Sequence, residues 1–275
     1  MASTDNDMHP DIPCQDIRQA QPWLRAFPDP AEVFSPEQPW LPHYFNALVS
    51  VDLGRIDPAW QGWLHVISPI EPLDGYLGEE GTHTPFTGPN WIAFRQDETG
   101  RYRFLGERTY FGLDAPRVAT HPFRIKREQE AREHLSRYYQ EEHATFAASH
   151  TRWLKNGILD WPHPDDPTRC KSEHDRERYP DIMHGRDPLE CGQPLIEQLG
   201  GTTGYGNWSD TPEIPSAFIL DSGDSDNVFP RWQDGRPFRF IASTAGYPWR
   251  RHGADSILVF FEPQERTVLI TFDWS

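Results

Sequence analysis

The stretch FRFIASTAGYPWRRHGADSILVFFEPQERTVLITFD, residues 238–273, decides the fold class of this chain. It contains three apolar runs rich in β-branched and aromatic residues, Phe238–Ser243, Ser256–Glu262 and Thr267–Asp273, which have the length and composition of strands. Four residues, PQER, separate the last two runs and are typical of a short turn. We therefore predict antiparallel strands that end in a hairpin.

An earlier part of the chain shows the same pattern. Tyr44–Asp52 and Gly62–Ser68 are apolar runs joined by a proline-containing link, and the alternation in WIAFRQDETGRYRFL, residues 91–105, predicts a further hairpin. A constant offset of 193 residues, the sequence separation of Phe45 and Phe238, aligns the first two runs with those of the C-terminal half without a gap. We therefore expect two duplicated sheet units.

One long helix is predicted between these units, because apolar residues recur at spacings of three and four over residues 124–156 and Asn156-Gly157 is a typical helix end. The fold class is thus α+β with mostly antiparallel sheets, organised as one compact domain. Its predicted parts are a Pro/Asp-rich arm, a first β-rich unit, the helix, a polar excursion and a C-terminal β-rich unit, at residues 1–42, 43–126, 127–157, 158–194 and 195–275.

The composition is that of a folded protein. Hydrophobic residues make up 36% and aromatic residues 13% of the 275 residues, and the 27 prolines predict many short elements. No apolar run approaches the ~20 residues of a membrane span, and the N-terminus lacks the features of a secretion signal. Three widely spaced cysteines, Cys14, Cys170 and Cys191, are typical of reduced thiols. We therefore expect a cytoplasmic protein without a membrane partner.

The formal net charge of −16 disfavours nucleic acid as a partner, because phosphate binding needs clustered lysine and arginine. The acidic residues are spread along the chain. This distribution is compatible with two interpretations, a general contribution to solubility and the attraction of a basic protein partner.

A glycine-rich run, QLGGTTGYGNWSDTPEIP at residues 198–215, has the composition of a phosphate-binding loop. Such a loop needs a lysine directly after the glycines and a helix behind them, and here an acidic segment with two prolines follows instead. We therefore predict that the glycines serve backbone geometry or close packing under Trp208. The run DSGDSDN at residues 221–227 lacks the glycine and the final acidic residue of a calcium loop.

Four residues of the polar excursion, Cys170, His174, His184 and Cys191, are a candidate zinc site. Two thiolates and two imidazoles can close a tetrahedral site, and a loop poor in apolar residues gains stability from such a metal. Their spacing matches no familiar zinc motif, so exposed histidines on a loop are the alternative interpretation. No G-x-S-x-G or H-E-x-x-H motif occurs, which favours a non-enzymatic protein without a cofactor.

The C-terminal third resembles the YwqG-like family of bacterial proteins of unknown function. That family typically has a Gly-Gly-x-Pro-x-Trp segment, a Phe-Ile-Ala-Gln strand and a Gly-Asp-x-Gly-x-x-Tyr-x-Phe-Phe strand. The matching positions are Leu199-Gly200-Gly201, Trp208, Phe240-Ile241-Ala242, Ala254-Asp255 and Val259-Phe260-Phe261. Thr202-Thr203, Ser243 and Ser256 depart from the pattern. The resemblance implies an α+β fold with duplicated antiparallel sheets.

Members of this family resemble accessory and immunity proteins found beside bacterial toxins, so the resemblance implies a protein that neutralises a toxin or effector by binding it. Aromatic side chains in loops commonly provide most of the affinity in such contacts. The candidates are Tyr205, Trp208, Trp232, Tyr247 and Trp249, for each of which core packing is the alternative interpretation. Two other functions are considered, a metal-dependent hydrolase on the same scaffold and a sugar- or peptide-binding module that uses these aromatic residues.

Overall fold

The computed structural model describes residues 17–72, 77–116, 120–163, 165–210 and 213–274. Cys14 and most of the first half of the predicted arm lie outside these ranges. The strands in chain order are β1 (Leu24–Ala26), β2 (Phe45–Asp52), β3 (Trp63–Pro69), β4 (Thr87–Gly88), β5 (Trp91–Gln96), β6 (Tyr102–Phe104), β7 (Gln198–Leu199), β8 (Phe218–Asp221), β9 (Phe229–Trp232), β10 (Arg239–Thr244), β11 (Ser256–Glu262) and β12 (Thr267–Asp273).

The helices are α1 (Pro30–Val33), α2 (Leu41–Tyr44), α3 (Pro122–Asn156), α4 (Lys171–Arg178), α5 (Pro180–Met183), α6 (Pro188–Cys191), α7 (Asn207–Asp210) and α8 (Tyr247–Arg250), with 3-10 turns at Leu53–Arg55 and Arg108–Tyr110. Only α3 is long, and most of the others are single turns that begin beside a proline. None of the helices in the described ranges combines the length and the apolar composition that crossing a bilayer requires.

Within the described part of the chain, the strands form three antiparallel sheets. One sheet has the order β1-β2-β3, a second has the order β4-β5-β12-β11-β10-β7 with β6 also paired to β5, and β8 and β9 form a separate hairpin. Both hairpins predicted from the sequence, β5-β6 and β11-β12, are present. The predicted α+β class with mostly antiparallel sheets is confirmed.

The strands of the two predicted sheet units pair in the same register, at an offset of 193 residues. β2 pairs with β3, and β10 pairs with β11, antiparallel in both cases, with one extra residue bulging from the first strand of each pair. The bulge lies at Leu48 in the first unit and at Ile241 in the second, which are 193 residues apart. Because β-bulges are specific local features, this coincidence supports the duplication beyond the match of apolar runs.

The seven-stranded sheet is buried on both faces, which explains its continuous apolar runs. Along β11, Ile257, Val259 and Phe261 contact the main core, which includes the three-stranded sheet. Leu258 and Phe260 face the opposite way, into a second apolar cluster beneath β8 and β9. The β8-β9 hairpin therefore covers the outer face of the second unit.

Helix α3 lies between the two units in sequence, as predicted. Pro122 occupies its first turn, the His121 imidazole accepts the Phe123 N–H, and Gly157 ends the helix in the left-handed conformation with φ 67°. These three features are typical helix signals. On its inner face Tyr138 and Tyr139 belong to the main core.

The structure corrects the expectation that no helix follows the glycines of the run at residues 198–215. Helix α7 forms one turn there, because the Gly206 carbonyl accepts the N–H groups of Ser209 at 2.9 Å and Asp210 at 3.1 Å. The turn requires no long apolar face, so hydrophobic periodicity does not reveal it.

Candidate partner-binding surface

The five aromatic residues predicted to contact a partner differ widely in exposure. Tyr205 is 54% exposed, and Trp232 and Tyr247 are half-buried. The Trp232 ring packs 4.9 Å from the Phe218 ring, and Tyr247 stacks on Trp161 at 4.5 Å. Tyr205 alone of the five has most of its side chain free to meet another molecule.

Two of the five predictions are wrong, because Trp208 and Trp249 lie in the core with exposures of 3% and 0%. The Trp208 ring centroid is 5.9 Å from that of Trp91 and 5.6 Å from that of Phe260, in the cluster beneath β8 and β9. Trp249 contacts the main core. Neither side chain offers surface to a partner, and a sugar-binding module built on the candidate aromatic residues loses two of its three tryptophan rings.

The glycine-rich run and the DSGDSDN run, which are separate in sequence, lie side by side in the structure. The Tyr205 N–H donates to the Ser225 carbonyl at 2.8 Å, and the Val228 N–H donates to the Thr203 carbonyl at 2.7 Å. These two hydrogen bonds hold the loop that carries Tyr205 against the acidic loop.

Three of the four glycines of this run have the backbone and packing roles that the sequence predicts. Gly200 and Gly201 adopt φ values of 65° and 78°, which favour glycine. A Cβ atom on Gly206 would lie 3.0 Å from the Trp208 ring, closer than an ordinary van der Waals contact, so glycine is favoured there. No phosphate site is needed to explain their presence.

We define the Tyr205 patch as Tyr205, Asp210, Asp224 and Asp226. The Tyr205 hydroxyl donates to the Asp210 carboxylate at 2.7 Å, which fixes the ring and raises the pKa of the phenol. Asp224 and Asp226 are exposed on either side of Ser225. Among the residues that the structure describes, none of the three aspartates has a cation within ion-pair distance. The patch thus combines one exposed aromatic ring with three carboxylates on the two loops that are held together.

A neighbouring carboxylate of the same loop has a different environment. Asp221 accepts a hydrogen bond from the Arg231 Nε at 2.8 Å and is half-buried. Its charge is compensated within the chain, so it is excluded from the Tyr205 patch.

The four candidate zinc ligands occupy different short elements of the polar excursion. Cys170 precedes α4 and is buried, His174 lies in α4, His184 follows α5, and Cys191 ends α6. Burial raises the pKa of the Cys170 thiol to about 11, and the Asp160 carboxylate adds to the effect. His174 Nδ1 lies 2.9 Å from His163 Nε2. Within the described ranges, no three His, Cys, Asp or Glu side chains are grouped to hold a metal ion.

The sequence predicts no binding role for the aspartates of the Tyr205 patch, since DSGDSDN has only the pattern of an incomplete calcium loop. A run of acidic residues in a turn-rich segment marks an exposed surface but does not reveal what lies beside it. The contact with Tyr205 depends on how two distant loops pack, which local sequence does not encode. Comparisons of the chain with protein-family models, curated proteins and solved structures find no match.

Proposed function

We propose that this chain is a non-enzymatic binding protein that neutralises a basic toxin or effector through the Tyr205 patch. The observation that carries the proposal is the exposed Tyr205 ring, which is hydrogen-bonded to Asp210 and held beside the loop of Asp224 and Asp226, none of these carboxylates having a cationic partner among the described residues. Tyrosine is enriched among the residues that provide most of the affinity at interfaces, since it buries a large surface at a small cost in conformational entropy. A ring held by Asp210 loses still less entropy on binding.

The charge of the whole chain supports the same proposal. A net charge of −16 attracts a basic partner from a distance and raises the rate of association, especially at low salt. The resemblance to the YwqG-like family, with its association with toxins, also favours this function. We further propose a cytoplasmic location, which the unpaired thiols of Cys170 and Cys191 support.

The first test uses proteins encoded beside the gene for this chain. Co-expression with each basic neighbour should restore the growth of cells that the neighbour alone inhibits. Tyr205→Ala should abolish the protection, because it removes the aromatic contact at the centre of the patch. Tyr179→Ala is the matched control, since Tyr179 is 45% exposed but lies in the polar excursion outside the patch. Protection by Tyr205→Ala equal to that of the wild type would refute the patch as the binding surface.

A further inference from the structure

A second site lies on the first sheet unit, where a cleft of about 230 Å³ opens beside β1, β2 and β3. Three polar residues form one row across these strands, because Arg25 is the register partner of Ser50 and Ser50 is the register partner of His65. All three line the cleft. The positions of these three residues are therefore fixed by strand pairing and not by the packing of loops.

The second sheet unit provides an internal comparison for this row. An offset of 193 residues places Ser243 on Ser50 and Leu258 on His65, and these two residues are also register partners. Leu258 packs in the apolar cluster beneath β8 and β9. The same place in the sheet thus accepts an apolar side chain, so folding alone does not require the histidine in the first unit.

His65 is 4% exposed, and its ring is held from one side only. Ser50 Oγ lies 2.7 Å from Nδ1, whereas Nε2 has no hydrogen-bond partner among the described residues. When the Ser50 hydroxyl donates to Nδ1, the neutral ring carries its proton on Nε2. The Gly100 carbonyl lies beside the ring and favours this tautomer, since a carbonyl can only accept, but its geometry does not complete a hydrogen bond to Nε2. A buried donor without an acceptor is costly, and such a group calls for a ligand or a water molecule.

The backbone around His65 is fixed as well. The Tyr102 hydroxyl accepts the His65 N–H at 2.7 Å and donates to the His65 carbonyl at 2.8 Å. This single side chain satisfies both backbone groups of the residue on the free edge of β3. The imidazole is therefore positioned before any ligand arrives, which reduces the entropic cost of binding.

Two guanidinium groups border the same cleft. The Arg25 guanidinium lies 3.8 Å from the centroid of the Trp63 ring, and the Arg101 Nε donates to the Ala31 carbonyl at 2.8 Å. Glu32 also lines the cleft, so its formal charge is +1 with a neutral His65. The chain as a whole has a net charge of −16, but this cleft is locally positive. The cleft therefore favours the binding of anions.

We propose that this cleft binds a small monoanionic carboxylate, with one oxygen accepting the His65 Nε2–H and the guanidinium groups of Arg25 and Arg101 compensating its charge. Arginine matches the planar geometry of a carboxylate. A formal charge of +1 suits a monoanion better than phosphate, which carries about −1.5 to −2 at neutral pH. This site is independent of the Tyr205 patch.

Binding accounts for the Ser50–His65 pair better than nucleophilic catalysis does. Burial, with a smaller contribution from the nearby Arg25 charge, lowers the pKa of His65 to about 4. An imidazole with this pKa is a weak base at neutral pH, and it would remove a proton from Ser50 poorly. As a neutral donor it remains effective over the whole physiological range.

The proposal is tested by titrating the full chain with benzoate, benzamide and inorganic phosphate while the side-chain ¹H–¹⁵N NMR signals of His65 are followed. Benzoate should shift these signals with saturation, whereas benzamide, which has the same shape without the charge, should not. Phosphate should bind at least tenfold more weakly than benzoate. No saturable shift with benzoate, or equal binding of phosphate or benzamide, would overturn the proposal.

Variants locate the binding site. Arg101→Gln should weaken benzoate binding at least tenfold, and His65→Leu, which introduces the residue of the second unit, should abolish it as measured by calorimetry. Arg55→Gln is the matched control, because Arg55 also lies over a tryptophan ring, that of Trp23, but outside the cleft. Unchanged binding by both cleft variants, with native circular dichroism, would contradict the assignment.

The carboxylate has two chemical sources, a free small acid and the C-terminus of a polypeptide. A short peptide with a free C-terminus and its amidated form separate them. Tighter binding of the free-terminus peptide than of benzoate assigns the site to chain ends, and weaker binding assigns it to free acids.

Discussion

At the scale of single residues, exposure distinguishes the Tyr205 patch from the core. Tyr205 and Trp208 are three positions apart, yet one is 54% exposed and the other 3%. Tyr205 emerges because its loop is attached to the acidic loop through backbone hydrogen bonds, whereas Trp208 turns inward under β8 and β9. A change at either residue therefore affects a different property, binding for the first and stability for the second.

Trp208→Ala should reduce the free energy of unfolding by about 3–5 kcal/mol, the usual cost of removing a large aromatic ring from a core. Tyr205→Ala should change it little, because most of that ring faces solvent. Urea denaturation of both variants measures the difference. Equal destabilisation by the two changes would contradict the assigned positions.

The buried His65 side chain predicts how the free energy of unfolding depends on pH. Its pKa is lowered from 6.5 to about 4 in the folded protein, so the unfolded chain binds more protons between these two values. The free energy of unfolding should therefore fall as pH decreases through this window, by on the order of 2 kcal/mol between pH 7 and pH 4.5. His65→Leu should lack this contribution.

The measurement is the difference between wild-type and His65→Leu unfolding free energies at pH 7 and at pH 4.5, since acidic groups common to both proteins cancel. A difference that does not depend on pH would show that His65 titrates normally, and the buried, neutral donor of the cleft would then be wrong.

At the scale of elements, a buried ion pair connects α3 to α8. The Arg250 guanidinium donates to the Glu142 carboxylate at 2.8 Å, with both side chains almost fully buried. The same guanidinium donates to the backbone carbonyls of Pro69 at 2.5 Å and Ile70 at 3.0 Å, at the end of β3. One arginine thus joins the helix, the second sheet unit and the first.

Glu142→Gln should cost about 3–5 kcal/mol of unfolding free energy, because it leaves the Arg250 charge buried without its counter-ion. Glu130→Gln is the control, since Glu130 pairs with Lys126 at 3.7 Å on the exposed side of the same helix and exposed pairs contribute little. Denaturation curves of the two variants that coincide would refute the role of the buried pair.

The sequence predicts those elements best whose signal is local. The hairpin of β11 and β12 appears with the predicted limits, because each strand has enough apolar residues to specify itself. The single turn of α7 was missed, since four residues carry no periodicity. The row of Arg25, Ser50 and His65 was also missed, because it depends on the pairing of three strands that no local pattern of residue types encodes.

At the scale of the whole molecule, charge separates the two proposed sites. The chain is strongly acidic, and the Tyr205 patch on the second unit shares that sign, whereas the cleft on the first unit is locally positive. A basic protein is attracted to the Tyr205 patch, and a small acid is attracted to the cleft. The two sheet units thus carry different surfaces. β8 and β9 cover the outer face of the second unit, whereas the first unit borders the cleft.

The most direct test of the proposed function compares two double variants that remove the same charge in complex with the basic partner. Asp224→Asn with Asp226→Asn neutralises the Tyr205 patch, and Glu133→Gln with Glu141→Gln neutralises two exposed positions on α3. The Kd is measured for each at low and at moderate salt. The patch variant should bind at least tenfold more weakly at low salt, while the α3 variant stays within about twofold of the wild type. Equal effects of the two variants would show that only the total charge matters, and would contradict the Tyr205 patch as the binding surface.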